Sequence, residues 1–111
     1  MREVKAIIRR DRLSDVVQAL REIPRMPGVT VSVVRGFGRG GSQQSTSMSD
    51  PFGEAQFAKI ETVVPLRLVK EVTEAIRGAA HTGRPGDGKL FVIPVEHVTR
   101  LSTGDEDEEA I

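Results

Sequence analysis

The chain contains no cysteine, no tryptophan and no tyrosine, and only four phenylalanines among its 111 residues. Without cysteine there is neither a disulfide framework nor a thiolate metal site. Without tyrosine no phenol is available for phosphorylation or uridylylation. The formal net charge is zero, from 16 basic and 16 acidic side chains, so nothing pulls the whole molecule towards nucleic acid. No apolar run is long enough to span a bilayer. The opening Met1-Arg2-Glu3-Val4-Lys5 alternates charged and apolar residues instead of building the apolar centre of a signal peptide. The expectation is a cytoplasmic protein of one domain, residues 1–111, small enough to gain from oligomerisation.

What is present reads as alternating short elements. Val4 to Arg9 predicts a strand, apolar enough on both faces to lie centrally in a sheet. Leu13, Val16, Val17 and Leu20 follow helical spacing, with Asp11 or Ser14 as N-cap, and Pro24 and Pro27-Gly28 end that helix. Val29 to Val34 is a β-branched strand. Ile60 to Val64 forms a third strand after an entry at Lys59, and Pro65 stands where a second helix can begin. Leu66, Val69, Val72, Ala75, Ile76 and Ala79 make its apolar stripe. Leu90 to Val95 is the fourth strand, and Pro94 places it at a sheet edge. The order β-α-β-β-α-β predicts an α+β, ferredoxin-like fold: an antiparallel sheet with two helices on one face.

Two glycine stretches stand out. Gly36-Phe37-Gly38-Arg39 follows the second strand and opens a polar connection rich in Ser, Gln and Gly, residues 40–57. Gly86-Asp87-Gly88-Lys89 closes a second loop that precedes the fourth strand. Amides in such turns form anion-binding concavities, and Arg39 and Lys89 supply charge of the right sign for phosphate. Neither stretch is a Walker A or a dinucleotide-binding fingerprint, and both are also what two tight turns require. Arg100 is either a third phosphate ligand or a surface arginine. His81 and His97 lack the companions that a metal site needs, and Ser42, Ser45, Ser47 and Ser49 have no identifiable base. No catalytic residue is assigned. The acidic close, residues 102–111, reads by itself as a solvated terminus.

Several segments in one order resemble the PII signal-transduction proteins (nitrogen regulatory protein P-II). They are Ala6 to Arg9, Leu13 to Val16, Gly28 to Val31, Val34 to Arg39, Lys59 to Pro65, Thr82 to Val92 and Thr103 to Ile111. The resemblance implies a homotrimer with an adenine nucleotide, ATP, ADP or AMP, in each cleft between subunits, and no prosthetic group. By the same resemblance Gly36 to Arg39 form the root of the T-loop (40–57) and Gly86, Asp87, Gly88 and Lys89 belong to the phosphate-wrapping B-loop (82–89). Lys89 and Arg100 match phosphate contacts, and Ile7, Thr30 and Val63 match the lining of base and ribose. A regulated partner is implied: an ammonium, bicarbonate or metal-export transporter, or an enzyme of nitrogen metabolism. Gly40 replaces the family's magnesium-binding Gln, Phe57 replaces the Lys that pairs with 2-oxoglutarate, and Ser102 replaces a second phosphate-binding Arg. These departures imply adenylate sensing without 2-oxoglutarate or the tyrosine switch. Two rivals are a slow ATP hydrolase with Glu61 positioning water, and a ligand-free trimer like the copper-tolerance proteins.

Overall fold

The structure, a computed structural model, describes residues 1–37 and 56–111. Gly38, Arg39, Gly40, the loop serines and nearly all of the predicted 40–57 segment lie outside the described residues. The elements run β1 (Arg2–Arg9), α1 (Leu13–Arg21), β2 (Thr30–Arg35), β3 (Gln56–Val64), α2 (Val69–Ala80) and β4 (Gly88–Pro94). Every pairing is antiparallel and the sheet order is β2-β3-β1-β4. The predicted fold class holds, with β1 central and β4 at an edge.

Strand alternation divides the sheet into two faces. Val4, Ala6 and Ile8 of β1 and Ala58, Ile60 and Val64 of β3 are buried on one face. There they meet Val16 and Leu20 of α1 and Val72 and Ile76 of α2 in a single core. Thr62 is the buried polar exception among the described residues, and its hydroxyl donates to the Gly28 carbonyl at 2.9 Å. That bond fixes the turn that leads into β2. The other face carries Glu3, Lys5, Ile7 and Arg9 of β1 with Phe57, Lys59, Glu61 and Val63 of β3, and no helix among the described residues covers it.

Both helices start differently from the sequence expectation. Neither Asp11 nor Ser14 caps α1; a 3₁₀ turn, Arg10–Arg12, winds directly into the helix. Leu13 donates its amide to the Arg10 carbonyl, so the turn itself satisfies a donor that a cap would have taken. The Arg12 guanidinium pairs with Asp15 at 3.0 Å and donates twice, at 2.9 and 2.7 Å, to the Ala79 carbonyl. One side chain thus joins the start of α1 to a free carbonyl at the end of α2. Pro65 lies just outside a second 3₁₀ turn, Leu66–Leu68, as its extended N-cap. The tighter turn rotates Leu66 off the apolar stripe, leaving it 61% exposed while Leu68 is buried.

The acidic close is solvated, as read, with Ser102 to Glu109 all exposed, but it is also folded. Thr99 and Glu106 form an antiparallel bridge, and the Asp107 amide donates to the Val98 carbonyl at 2.7 Å. The Asp107 carboxylate reaches His97 Nδ1 at 2.9 Å, and Ala110 is buried. Acidic composition accounts for the exposure, and main-chain pairing for the fixed path.

Ile76 is 1% exposed at the centre of the helix–sheet layer. Ile76→Ala is expected to lower unfolding free energy by about 2–5 kcal/mol in urea denaturation, with secondary structure retained before the transition.

Candidate functional site

The strand register shows where the predicted residues stand. Arg35 pairs with Gln56, Phe57 with Arg9, and Ile8 with Gly88. Both glycine stretches therefore leave the same end of the sheet, from its two opposite edges. Three strand spacings separate those edges, roughly 14 Å. Ile7 is opposite Lys89 on one side and Lys59 on the other, so these three side chains share a row on the helix-free face.

Val63 belongs to the other end, and Thr30 opens β2 in the row of Lys5, midway along β1. Thr30 pairs with Glu61 and Val63 with Glu3, and Glu3 is roughly 13 Å along β1 from Ile7. Arg100 joins Val63. The Val95 amide donates to the Met1 carbonyl at 3.2 Å, so the chain leaves β4 beside the start of β1. Arg100 then sits in the terminal hairpin, its amide donating to the Asp105 carbonyl and its carbonyl accepting from Gly104, both at 2.8 Å. Ile7, Gly36, Phe37, Gly86, Asp87, Gly88 and Lys89 thus gather at one end and Val63 and Arg100 at the other, with Thr30 between them on the edge strand β2. One protomer does not bring the two sets together.

The loop before β4 is built around one carboxylate. Asp87 accepts from the Thr82 hydroxyl and, at 2.8 Å, from Arg9 Nε through Oδ1. Its Oδ2 accepts from the amides of Thr82 at 2.7 Å and Gly83 at 3.0 Å. The Thr82 hydroxyl and Arg9, followed by these amides, hold the Asp87 carboxyl well below the usual carboxylate range. Both oxygens are occupied within the protein, which leaves only the main chain of this residue for a ligand. Gly88 is required for a different reason. Its φ is +103°, and an added Cβ would stand 1.8 Å from the Ile7 carbonyl oxygen. Gly36 has no such constraint: a Cβ added there would meet nothing within 4 Å, and its φ is ordinary.

The cations divide clearly. Lys5 lies 3.4 Å from Glu3 and 3.9 Å from Glu61, Lys59 lies 3.5 Å from Glu61, and Arg9 is bound to Asp87. Lys89 and Arg100 make no ion pair among the described residues, and both are exposed. An anion can therefore recruit either without breaking a pair. Glu61, the residue considered for positioning water, is engaged with two lysines. A depression of about 590 Å³ lies between the end of α1 and the start of β2 and holds none of the predicted residues. A smaller one, about 240 Å³, lies behind the loop against Asp87, Gly88 and Lys89. Sequence reasoning missed Arg9 and Thr82. The Thr82-to-Asp87 spacing carried a faint turn signal, but nothing in the sequence tied Arg9 to it.

The sequence profile described as "Nitrogen regulatory protein P-II" matches residues 1–105. The Nitrogen regulatory protein P-II of Azospirillum brasilense is 42% identical over an alignment of 118 residues that covers 100% of both chains. That of Haemophilus influenzae is 40% identical with the same coverage. Among solved structures, Arabidopsis thaliana PII bound to citrate aligns with a TM-score of 0.82 and 41% identity, over 99% of this chain and 91% of that one.

Two outcomes test the loop. Gly88→Ala should cost roughly 2–4 kcal/mol of stability in chemical denaturation, because backbone, not a movable side chain, blocks the methyl. For Asp87, the unfolded chain takes up a proton below about pH 4 that the folded chain does not. Stability contributed by this group is therefore complete above that pH and declines as pH falls. Between pH 5 and 2 the wild type should lose stability more steeply than Asp87→Asn, measured as the denaturation midpoint against pH.

Proposed function

The chain belongs to the nitrogen regulatory protein P-II family of signalling proteins, and from that membership we propose that it binds ATP, ADP or AMP between the subunits of a homotrimer. Its relatives are named as regulatory proteins, and it is a regulator, not an enzyme. The observation that carries the nucleotide reading is the division of the candidate residues. Lys89 with the preformed glycine loop stands at one end of the sheet, Arg100 and Val63 at the other, and Thr30 between them. A second protomer across a subunit boundary completes a site that one protomer leaves divided. Base and ribose then lie against Ile7, Thr30 and Val63, and the phosphates meet Gly86 to Lys89 and Arg100. That Arabidopsis PII is described with bound citrate, a small polyanion, supports an anion-receptive surface in this architecture.

Regulation follows from where the loop is rooted. Gly36 and Phe37 lead out of β2, and Gln56 and Phe57 lead back into β3, at the same end of the sheet as the phosphate loop. A nucleotide that interacts differently with alternative arrangements of residues 40–57 shifts their populations, and a partner reads the result. The partner class is a membrane transporter or an enzyme of nitrogen metabolism, met in the cytoplasm. No helix among the described residues is long and apolar enough to cross a membrane. Phe57 faces the helix-free side between Val34 and Arg9. A benzyl group there offers nothing to a dicarboxylate, so 2-oxoglutarate is not a co-ligand.

Calorimetry with ATP, ADP and AMP, each with and without magnesium and 2-oxoglutarate, tests this reading. Binding without 2-oxoglutarate synergy is expected, and Lys89→Ala or Arg100→Ala should each weaken ADP by about 1.5–3 kcal/mol. Sedimentation should give three times the protomer mass. Unchanged affinity in both variants, or a monomer that binds ADP fully, would contradict the shared site.

A further inference from the structure

Arg9 is the last residue of β1, with its main chain opposite Phe57 of β3. Its side chain crosses to the β4 edge and makes two bonds there. Nε donates to Asp87 Oδ1 at 2.8 Å and Nη2 donates to the Pro85 carbonyl at 2.6 Å. Those acceptors flank Gly86, whose φ is +93°, so the guanidinium spans the turn at its sharpest residue. The same carboxylate gathers the Thr82 hydroxyl and the Thr82 and Gly83 amides from the start of the loop. Gly88, against the Ile7 carbonyl, fixes the end. The loop is thus held at its start, its apex and its close, and Lys89 follows directly.

We propose that Arg9 is a positioning residue: through Asp87 and the Pro85 carbonyl it sets the shape in which the Gly86–Lys89 main chain meets a nucleotide phosphate. The inference rests on the nucleotide site described under the proposed function and adds to it a side chain that touches no nucleotide. Two physical arguments favour positioning over direct contact. The guanidinium already spends its Nε and Nη2 donors on protein acceptors. It is also neutralised by Asp87, a carboxylate that by charge alone would weaken phosphate binding. An anion beside an anion site is favourable only if the shape it enforces outweighs its repulsion. A planar fork also matters, because two acceptors on either side of a turn suit guanidinium and not a single ammonium.

The sign of the Asp87 effect separates the alternatives. ADP affinity is measured by calorimetry for the wild type, Arg9→Met, Arg9→Lys, Asp87→Asn and Thr82→Val. Amide hydrogen exchange at Thr82 and Gly83 is measured in the same proteins without nucleotide. Arg9→Met should weaken ADP about tenfold, as expected when a bound-ready shape becomes a minor population. Arg9→Lys should recover part of that loss. Asp87→Asn should also weaken ADP, although it removes negative charge, and exchange at Thr82 and Gly83 should quicken in both variants. Thr82→Val changes no charge and should weaken ADP several-fold, so the test stands even if Arg9→Met does not fold. Tighter ADP binding by Asp87→Asn would overturn the proposal, as would weaker binding by Arg9→Met with unaltered amide exchange, which makes Arg9 a direct ligand. A wild type that binds no ADP overturns the nucleotide site itself; a wild type that binds, with Arg9→Met equal to it, overturns only the role of Arg9.

Discussion

Everything in this molecule is referred to β1, which is hydrogen-bonded on both sides along nearly its whole length. Arg2 to Arg9 pair with Val64 to Phe57 on one flank, and Arg2 to Ile8 with Pro94 to Gly88 on the other. Strand pairing of this kind fixes which side chains share a face and which share a row. The core contributes burial through Val4, Ala6 and Ile8, but the ladder decides that Ile7, Lys59 and Lys89 stand abreast. Without that alignment neither the loop nor the open face has a defined geometry.

The two faces then have separate duties. The helix-covered face is apolar and closed, with its one buried hydroxyl among the described residues satisfied by the Gly28 carbonyl. The other face mixes Ile7, Val63, Phe91 and Ile93 with the Lys5, Lys59, Glu3 and Glu61 pairs. Such a surface suits contact with further copies of the chain, since apolar rows give area and the ion pairs give orientation. The binding reading and the assembly reading are therefore one claim about the same side of the sheet.

How far the sequence could be read depended on range. The apolar run from Val4 to Ile8 and the helical spacing of Val72 to Ile76 are local, and they predicted the elements, their order and the helices' apolar stripe, while the alternation of β1 between two faces came only with the structure. Pro94 located an edge because a missing donor is a local property. Misreadings began where the outcome depended on something distant. Leu66 looked like stripe until a 3₁₀ turn rotated it outward, and Ser14 looked like a cap until a separate 3₁₀ turn, Arg10–Arg12, ran straight into α1 ahead of it. Gly88 read as loop, yet it is the first residue of β4, and its necessity comes from the Ile7 carbonyl, far away in sequence. The terminal acids suggested solvent and are exposed to it, but composition is silent about the main-chain pairing that folds them. At the site, the resemblance named Lys89 and Arg100 together, but the register of Lys89 and the exit of the chain beside Met1 put them at opposite ends of one protomer. Gly38 and Arg39 lie outside the described residues, and their role stays with the proposal.

The contact between Gly88 and Ile7 also acts as a registration mark for everything downstream. Residues added ahead of it, between Thr82 and Asp87, would part the Asp87 carboxylate from the Thr82 and Gly83 amides but leave β4 in register. One residue added just after it would reverse the polarity of the strand, turning Lys89 under the helices and Leu90 out to water. A change of length thus costs the shape of one loop on one side of a single glycine, and the facing of a whole strand on the other.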